Sequence, residues 1–178
     1  AVIQLGASSG KEIGYYAKKY PSSDFIYTEM CDEIVEHASN KLVLENLTYV
    51  TCPAEFLCSI ASVSSASRVI ILSSGSSQYV YPEHLDSLFR GLARIRGKQI
   101  SLVIIETGDD RRCSVDEING SLPRGNFSYT HNYKFYAEKH HFSVEDWRVI
   151  RPYPEDSAFS GIKSTVHLYG VFVKHIKD

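Results

Sequence analysis

The sequence predicts an α/β fold in which a mostly parallel sheet lies between layers of helices. Short apolar runs alternate with segments of helical period from Val2 to Glu106. Strands that are apolar throughout are typical of a parallel sheet, because helices cover both of its faces. The chain has 178 residues, of which 43% are hydrophobic and 22% charged. This length and this composition fit one globular domain.

The first unit is a strand, a glycine-containing turn and a helix. Residues 2–5 form a short apolar run that only Gln4 interrupts. Residues 11–20 are predicted to form a helix, which ends before Pro21 because proline cannot continue it.

The second and third units repeat this alternation. Residues 24–28 are predicted as a strand and residues 32–40 as a helix, because the apolar residues of the latter recur at helical spacing. Residues 47–51 form the third strand, and residues 54–61 form a short helix. A helix therefore follows each strand, as the crossover between parallel neighbours requires.

The fourth and fifth strands, residues 68–72 and 100–106, flank the clearest helix of the chain. This helix covers residues 82–95, with Pro82 suited to its first turn and Gly97 to its end. Its apolar face consists of Leu85, Leu88, Phe89 and Leu92.

The sequence changes character after the fifth strand. Residues 107–129 are polar and glycine-containing without a clear period, and a long loop in a compact domain usually has a function. Residues 133–140 are predicted to form a helix. Residues 146–152 and 164–175 are predicted to form strands with no helix between them, which indicates an antiparallel hairpin at the edge of the sheet.

The charge and the hydropathy of the chain argue against several partners. Lys and Arg number 19 and Asp and Glu number 21, which gives a formal net charge of −2. Proteins that bind nucleic acid usually carry a basic excess, so we expect no nucleic-acid partner. No stretch approaches the roughly 20 apolar residues of a membrane span, and no signal-peptide pattern is visible. We therefore expect a cytoplasmic protein that does not bind a membrane.

The cysteines predict neither a metal site nor a disulfide framework. No pair of them has the CxxC spacing of zinc ligands. We expect reduced thiols, as is usual in the cytosol. The four residues are Cys31, Cys52, Cys58 and Cys113.

The chain opens inside an apolar run, directly after Ala1. A native chain seldom starts within a core strand. We interpret residues 1–178 as one domain of a longer protein, whose further domains are candidate partners.

The turn between the first strand and the first helix is a candidate ligand-binding loop. It has the sequence Gln-Leu-Gly-Ala-Ser-Ser-Gly over residues 4–10. Gly6 can adopt backbone angles closed to other residues and lets a ligand approach the main chain. The unpaired amides at the start of the next helix suit a carboxylate or a phosphate oxygen. Such turns also occur for packing reasons alone.

Glu29 lies at the end of the second strand, roughly 20 residues further on, where an acidic side chain can accept both hydroxyls of a ribose. The alternative is a helix N-terminal charge ahead of Asp32 and Glu33. Together, the glycine turn and Glu29 favour a cofactor that contains adenosine.

Residues 2–57 resemble the cofactor half of the class I S-adenosylmethionine-dependent methyltransferases. The first motif of that family, an acidic and an apolar residue before Gly-x-Gly-x-Gly, corresponds to residues 4–10. The ribose motif corresponds to Phe-Ile-Tyr-Thr-Glu-Met at residues 25–30. The third motif corresponds to Leu-Thr-Tyr-Val-Thr-Cys-Pro-Ala-Glu at residues 47–55. The fourth strand and its exit, residues 69–80, match as well.

The resemblance covers nearly the whole chain, and the order and spacing of the motifs carry it. It implies a Rossmann-like three-layer sandwich with a seven-stranded, mostly parallel sheet whose last strand is antiparallel. It also implies an enzyme, a methyltransferase, with S-adenosyl-L-methionine as its cofactor.

The first motif would hold the amino-acid portion of the cofactor. Gln4 stands where the family carries a carboxylate that contacts the cofactor's ammonium group. Ser8 stands in place of the second glycine of the motif. The residues implied here are Gln4, Gly6, Ala7, Ser8 and Gly10.

The later motifs would bind the nucleoside and the sulfonium end. Glu29 would bind the ribose, and Met30 would pack on the adenine. The remaining contacts would come from Ala54 and Glu55 at the adenine rim and from Ser73 and Ser74 at the sulfonium end.

The expected acceptor is a small molecule with a hydroxyl group, such as a sugar or a polyketide. Transfer mainly requires placement of the acceptor, and an oxygen acceptor benefits from a base. His131 is the candidate base, because histidine titrates near neutral pH and this region approaches the acceptor in the family. Helix capping or surface exposure is the alternative for His131.

We expect residues 107–130 to cover the acceptor and Tyr79 and Tyr81 to line its pocket, although aromatic packing would also explain these tyrosines.

Two other interpretations remain open. Three departures from the family pattern also fit a non-catalytic methyltransferase-like domain of a larger protein. They are Gln4, Ser8 and Pro53, the last at a position where many members carry an acidic residue for the adenine amino group. The Gly-Ala-Ser-Ser-Gly turn is also similar to that of the short-chain dehydrogenases, which use a nicotinamide cofactor. Their catalytic Tyr-x-x-x-Lys should follow the fourth or fifth strand. The one match here, Tyr15 with Lys19, lies in the first helix.

Overall fold

The computed structural model describes residues 1–151 and 165–176, and its centre is one large sheet. The strands are β1 (Val2–Leu5), β2 (Phe25–Glu29), β3 (Leu47–Thr51), β4 (Arg68–Ser74), β5 (Gln99–Asp109), β6 (Ser121–Arg124), β7 (Ser128–His131), β8 (Ser143–Ile150) and β9 (Thr165–Lys174). The α-helices are α1 (Lys11–Lys19), α2 (Asp32–Lys41), α3 (Leu57–Val63), α4 (Pro82–Arg94) and α5 (Tyr133–Lys139). Single-turn 3₁₀ helices span Ala54–Phe56, Ser77–Tyr79 and Val115–Glu117.

The large sheet has seven strands in the order β3-β2-β1-β4-β5-β9-β8. Strands β1 to β5 are parallel to one another. Strand β9 is antiparallel to β5, and β8 is antiparallel to β9 at the edge. The predicted sheet and the predicted late hairpin are therefore confirmed. The sheet is not parallel throughout, as the sheet of a dinucleotide-binding fold would be. The fold therefore does not support the short-chain dehydrogenase interpretation.

Helices cover both faces of this sheet. Phe25 and Tyr27 of β2 belong to the smaller of two apolar clusters, together with Ile13 of α1. Ile26, between them, packs against the larger cluster, which includes Leu88 of α4. Successive side chains of a strand point to opposite faces, so the two clusters lie on opposite sides. Helices α1 and α2 cover one side and α3, α4 and α5 the other, as the three-layer prediction requires.

Helix α4 shows how the sequence positions these layers. Pro82 occupies its first turn, and its buried residues recur at the spacing of one helical face. Phe89 contacts the rings of Tyr136, Phe142 and Phe172, which joins α4 to α5 and to β9. The buried residues of α4 are Leu85, Leu88, Phe89 and Leu92.

The predicted helices and strands before residue 107 are all present, with boundaries within three residues of those expected. The two late strands are present as β8 and β9. The predicted absence of a helix between them concerns residues outside the described part of the chain.

The prediction of an irregular loop over residues 107–130 holds for residues 110–120 and is wrong for the strands on either side of them. Strand β5 continues to Asp109, and β6 and β7 pair as an antiparallel hairpin. The hairpin was not predicted from the sequence because Pro123 lies within β6, and proline is rare in strands. Strand β7 packs against the Ser77–Tyr79 turn and against β5. The hairpin therefore stands beside the carboxyl ends of β4 and β5.

Several classes of site are not found in the described residues. No helix there has the length and apolar character needed to cross a membrane. No group of three or more His, Cys, Asp or Glu side chains in residues 1–151 and 165–176 could hold a metal ion. The four cysteines are free thiols.

Candidate functional site

A cleft of about 360 Å³ opens at the carboxyl ends of β1, β2 and β4. Strand β1 lies between the other two, so this is the point where the strand order reverses and where open α/β sheets bind ligands. Six residues predicted from the sequence line it, namely Gly6, Ser8, Glu29, Met30, Ala54 and Tyr79. Five other lining residues were not predicted from the sequence, namely Leu5, Cys52, Gly75, Ser76 and Val80.

The glycine loop forms one wall of the cleft. Gly6 has a φ of +59°, and Gly10, the N-cap of α1, has a φ of +71°. A Cβ atom on Gly6 would lie 2.8 Å from both Cβ and Oγ of Ser76, whose hydroxyl donates to the Gly6 carbonyl at 2.9 Å. Glycine is therefore required at this position both by the backbone angle and by the close approach of Ser76. Ser76 was missed because this contact joins residues 70 positions apart.

The loop is also tied to β2 from below. The Ala7 amide donates to the Thr28 carbonyl at 2.9 Å, and the Tyr27 hydroxyl donates to the Ser8 carbonyl at 2.5 Å. Ser8 has a φ of +48°, an angle uncommon for a residue with a side chain. Ala7 is buried and does not line the cleft. These bonds fix the loop backbone in the conformation that opens toward the cleft.

Glu29 joins the glycine loop to the end of β2. One carboxylate oxygen accepts the Ser8 amide at 3.1 Å, and the other accepts the Met30 amide at 2.9 Å. Each oxygen of an ionised carboxylate can accept about two hydrogen bonds, so both retain capacity toward the cleft. The Met30 side chain is 74% exposed beside it. This arrangement can accept two neighbouring hydroxyls.

Gln4 lies beneath the loop and does not line the cleft. Its amide nitrogen donates to Glu12 of α1 at 2.6 Å. Its side-chain carbonyl oxygen, Oε1, is buried and has no hydrogen-bond partner in the described structure. A carboxylate, which the family has at this position, is thus next to it, on Glu12, and no local sequence pattern indicates this pairing.

The far end of the cleft is built from β3 and the turn after it. Cys52 and Ala54 line the cleft there. Burial raises the pKa of the Cys52 thiol, and Glu55 and Cys58 act in the same direction. Glu55 itself does not line the cleft and instead approaches His84 at 3.3 Å. The wall at this end is therefore apolar and uncharged.

The turn after β4 is held by a buried acidic network. Ser73 is buried and donates to Glu106 at 2.6 Å. It therefore does not face the cleft, contrary to the prediction. The same Glu106 oxygen accepts the amides of Ser76 and Ser77 at 2.9 and 2.8 Å and the Ser77 hydroxyl at 2.9 Å. Ser74 is half-buried and also does not line the cleft. Gly75, Ser76 and Tyr79 occupy this side of the cleft instead.

His131 is fully buried and does not face the cleft, so the structure does not support its prediction as a general base. Its Nε2 bonds to the Ser77 carbonyl at 3.1 Å, and its Nδ1 bonds to the Ser121 hydroxyl at 2.5 Å. A carbonyl only accepts, so this network assigns the proton to Nε2 and leaves Nδ1 as the acceptor.

The surroundings of His131 keep it neutral. Burial lowers its pKa to about 4, and the nearby charge of Arg124 acts in the same direction against two backbone hydrogen bonds. The rings of Tyr129, Tyr133 and Tyr136 surround it. The cap of α5 is Asn132, whose side chain accepts the Phe135 amide. His131 thus links the hairpin to the Ser77–Tyr79 turn.

The two predicted acceptor tyrosines differ in position. Tyr79 lines the cleft and is exposed. Tyr81 does not line it; its ring packs against those of His84 and Tyr129. Within the described residues, the titratable side chains that line the cleft are Glu29, Cys52 and Tyr79.

Comparison with known proteins identifies the fold through structure alone. No protein-family model and no curated protein sequence matches the chain. A methyltransferase dependent on S-adenosylmethionine from Mesorhizobium loti matches with a TM-score of 0.65 and 13% identity, over 97% of this chain and 90% of that one. The O-methyltransferase of a trans-AT PKS multienzyme of Brevibacillus brevis, in complex with S-adenosylhomocysteine, has a TM-score of 0.65 and 9% identity, over 98% and 66%.

A third similar structure is a TehB-like methyltransferase from Corynebacterium glutamicum. It has a TM-score of 0.56 and 14% identity, over 98% of this chain and 79% of that one. All three are methyltransferases that depend on, or bind a product of, the same cofactor. Identities this low establish the fold only. The chain has the Rossmann-like fold of the class I S-adenosylmethionine-dependent methyltransferases.

Proposed function

We propose that the chain is a methyltransferase that moves a methyl group from S-adenosyl-L-methionine to a small-molecule acceptor, through an oxygen such as a sugar or polyketide-like hydroxyl. The observation that carries this proposal is the bond between the Glu29 carboxylate and the Ser8 amide. This bond supports the proposal because it holds the Glu29 carboxylate against the glycine loop, in the cleft of a methyltransferase fold, where a carboxylate can accept two ribose hydroxyls.

The residues present fit this cofactor. The main chain of Gly6 and Ser8 is open to the cleft and suits the amino-acid portion, because no side chain stands at Gly6. Glu29 retains hydrogen-bonding capacity for the ribose hydroxyls. Cys52 and Ala54 offer an apolar wall for the adenine, with Met30 beside it. When bound, the cofactor supplies the reactive methyl group on a sulfonium.

The family motif has a carboxylate at position 4, where this chain has Gln4, and the carboxylate that Gln4 contacts is that of Glu12, which does not line the cleft. The Gln4 amide holds the Glu12 carboxylate at 2.6 Å. The Gln4 side-chain amide therefore donates a hydrogen bond that orients the charged carboxylate of Glu12. Glu12 lies in the first turn of α1, where the helix dipole favours a carboxylate.

The contribution of the protein to the transfer is placement. Aligning the acceptor with the methyl carbon can supply a large share of the rate acceleration without a strong base. Tyr79, at the cleft wall formed by the turn after β4, is the side chain we assign to contact the acceptor. Tyr81 and the β6–β7 hairpin would extend that surface, because Tyr81 packs on Tyr129 of β7.

The small-molecule acceptor is consistent with what similar structures bind. One of them is a geranyl diphosphate methyltransferase in complex with GPP and sinefungin, with a TM-score of 0.63 and 11% identity. We extend to this chain only the class of small acceptors. We also propose a cytoplasmic location, which the free thiols favour.

A methyl-transfer assay tests the proposal. The purified chain is incubated with methyl-labelled S-adenosylmethionine and a panel of hydroxylated small molecules, and labelled product is measured. Transfer to a member of the panel, abolished by Glu29→Ala, supports it.

A second candidate is a methyltransferase-like domain of a larger protein that binds the cofactor without catalysis. The burial of His131 favours it, because no histidine lines the cleft among the described residues. Binding of S-adenosylhomocysteine without transfer to any acceptor, also in the presence of the full-length protein, would favour this candidate.

A further inference from the structure

A second cavity, of about 300 Å³, lies at the carboxyl end of β5 beside the β6–β7 hairpin. Three arginines contribute to it, namely Arg111, Arg112 and Arg124. The chain as a whole has a formal charge of −2, so a cavity with three arginines is a local concentration of positive charge. Asp109 is the one acidic side chain among the residues described as lining it.

The charge of Arg111 is balanced inside the cavity. Its Nε donates to the Asp109 carboxylate at 2.6 Å, and a second guanidinium nitrogen contacts the same oxygen. Arg112 is exposed, and within residues 1–151 and 165–176 it forms no hydrogen bond or ion pair. Its guanidinium is therefore available to a ligand.

Arg124 is held in place by neutral groups. Its guanidinium donates to the Gln78 side-chain carbonyl, to the Thr107 hydroxyl at 3.1 Å and, more weakly, to the Ser128 hydroxyl at 3.5 Å. No carboxylate pairs with it in the described part of the chain. Hydrogen bonds from neutral acceptors fix the orientation of the guanidinium but leave its charge uncompensated. Two of the three positive charges of the cavity are thus unbalanced.

The turn after β4 separates this cavity from the candidate cofactor cleft. Ser76 and Tyr79 line the cleft, while Gln78, between them in sequence, accepts from Arg124 of the second cavity. A ligand could therefore occupy the second cavity and extend across this turn toward Tyr79.

We propose that the second cavity binds an oxyanion, and that this oxyanion is a phosphate or carboxylate group of the methyl acceptor. Arginine binds such groups through paired, charge-assisted hydrogen bonds, which suits both chemistries. Arg112 and Arg124 hold the anion, and the Asp109–Arg111 pair forms the opposite wall. The assignment to the acceptor rests on the proposed function, whereas the anion site itself does not.

Calorimetric titration at low ionic strength tests the anion site directly. Pyrophosphate and succinate serve as the phosphate and carboxylate probes. We expect saturable binding of at least one of them, weakened about tenfold by Arg112→Gln, a change of roughly 1.4 kcal/mol. Arg96→Gln is the matched control, because it removes the same charge at an exposed residue near the amino end of β5. Arg124→Gln is a second test, accepted only if its thermal unfolding remains cooperative.

The outcomes separate the anion site from the proposed function. Weakening by Arg112→Gln but not by Arg96→Gln supports the site, and the stronger of the two probes identifies its chemistry. The anion site is overturned if neither probe binds, or if Arg112→Gln and Arg96→Gln weaken binding equally. S-adenosylhomocysteine is titrated in parallel. If the probes bind as expected while S-adenosylhomocysteine does not, the anion site stands and the methyltransferase proposal fails.

Discussion

The carboxylate of Glu106 accepts the backbone amide of Ser76 at 2.9 Å, and this bond joins β5 to the turn that forms one wall of the cleft. Glu106 is only 3% exposed. The same oxygen accepts the Ser77 amide and two serine hydroxyls, while the other oxygen is buried without a partner in the described structure. A buried acidic residue that does not itself line the cleft thus sets the position of Ser76, which contacts Gly6.

The first prediction concerns this buried acid. Glu106→Ala removes the acceptor of two amides in a buried region, and unsatisfied donors of this kind cost about 1–3 kcal/mol each. We expect the free energy of unfolding to fall by about 3 kcal/mol in urea titrations, and the affinity for S-adenosylhomocysteine to fall as well. Glu106→Gln retains one acceptor oxygen. Its free energy of unfolding should lie between those of the wild type and Glu106→Ala. Wild-type stability in Glu106→Ala would show that water replaces the carboxylate without loss.

The second prediction concerns the contact between Gly6 and Ser76. Gly6→Ala adds a Cβ at 2.8 Å from Ser76 and puts a side chain at a φ of +59°, so it should weaken binding of S-adenosylhomocysteine and lower stability by more than the roughly 1–2 kcal/mol of the backbone angle alone. Gly97→Ala is the matched control, because Gly97 has a φ of +69° with no atom within 4 Å. The double variant with Ser76→Gly should recover part of the loss. Equal effects of Gly6→Ala and Gly97→Ala would rule out the steric contribution.

The third prediction concerns Gln4 and Glu12. Gln4→Glu replaces a donor with a second carboxylate at a buried position, 2.6 Å from Glu12. We expect a loss of about 2 kcal/mol in the free energy of unfolding at pH 7.5. Repulsion raises the folded-state pKa of the pair, so the loss should shrink as the pH falls toward 5. Adding Glu12→Gln should restore stability; if it does not, the two side chains do not interact as described.

The fourth prediction follows from the neutral state of His131. Its pKa is about 4 in the folded chain against an ordinary value of 6.5, so above pH 6.5 it contributes no pH dependence. Between pH 6.5 and 4 the unfolded chain binds the proton first, and stability should fall by about 3 kcal/mol over that range. Urea titrations at several pH values measure this slope. His131→Gln should flatten it, and an unchanged slope would mean that the folded and unfolded chains bind this proton equally.

The sequence predicted the sheet and its helices because their signals are local. The apolar run of β4 and the buried face of α4 identify themselves within a dozen residues. The β6–β7 hairpin was missed because Pro123 and Gly125 interrupt its pattern. His131 looked accessible because its neighbours in sequence are polar, whereas rings from β7 and α5 bury it.

The residues of the candidate site also differ in whether they have a local signal in the sequence. Gly6 and Glu29 were found because a turn and a strand end have a recognisable spacing. Ser76, Glu106 and the Glu12 partner of Gln4 were not found, because each acts through contacts that only the folded chain creates. The sequence thus indicates some of the residues that line the cleft more readily than the residues that position them.

The fifth prediction concerns Glu29 and the proposed cofactor. Glu29→Ala removes both oxygens available to the ribose and should weaken binding of S-adenosylhomocysteine by roughly 2–4 kcal/mol. It also frees the Ser8 and Met30 amides, so a small loss of stability is expected. Glu36→Ala is the matched control, because it removes the same charge from an exposed position on α2.

The measurement that tests the account most directly is calorimetric titration of the chain with S-adenosylmethionine, S-adenosylhomocysteine and NADH, repeated for Glu29→Ala and Glu36→Ala. The account predicts that both adenosylated ligands bind with a stoichiometry of one, that Glu29→Ala weakens them while Glu36→Ala does not, and that NADH gives no binding heat. Binding of NADH without binding of either adenosylated ligand would contradict it.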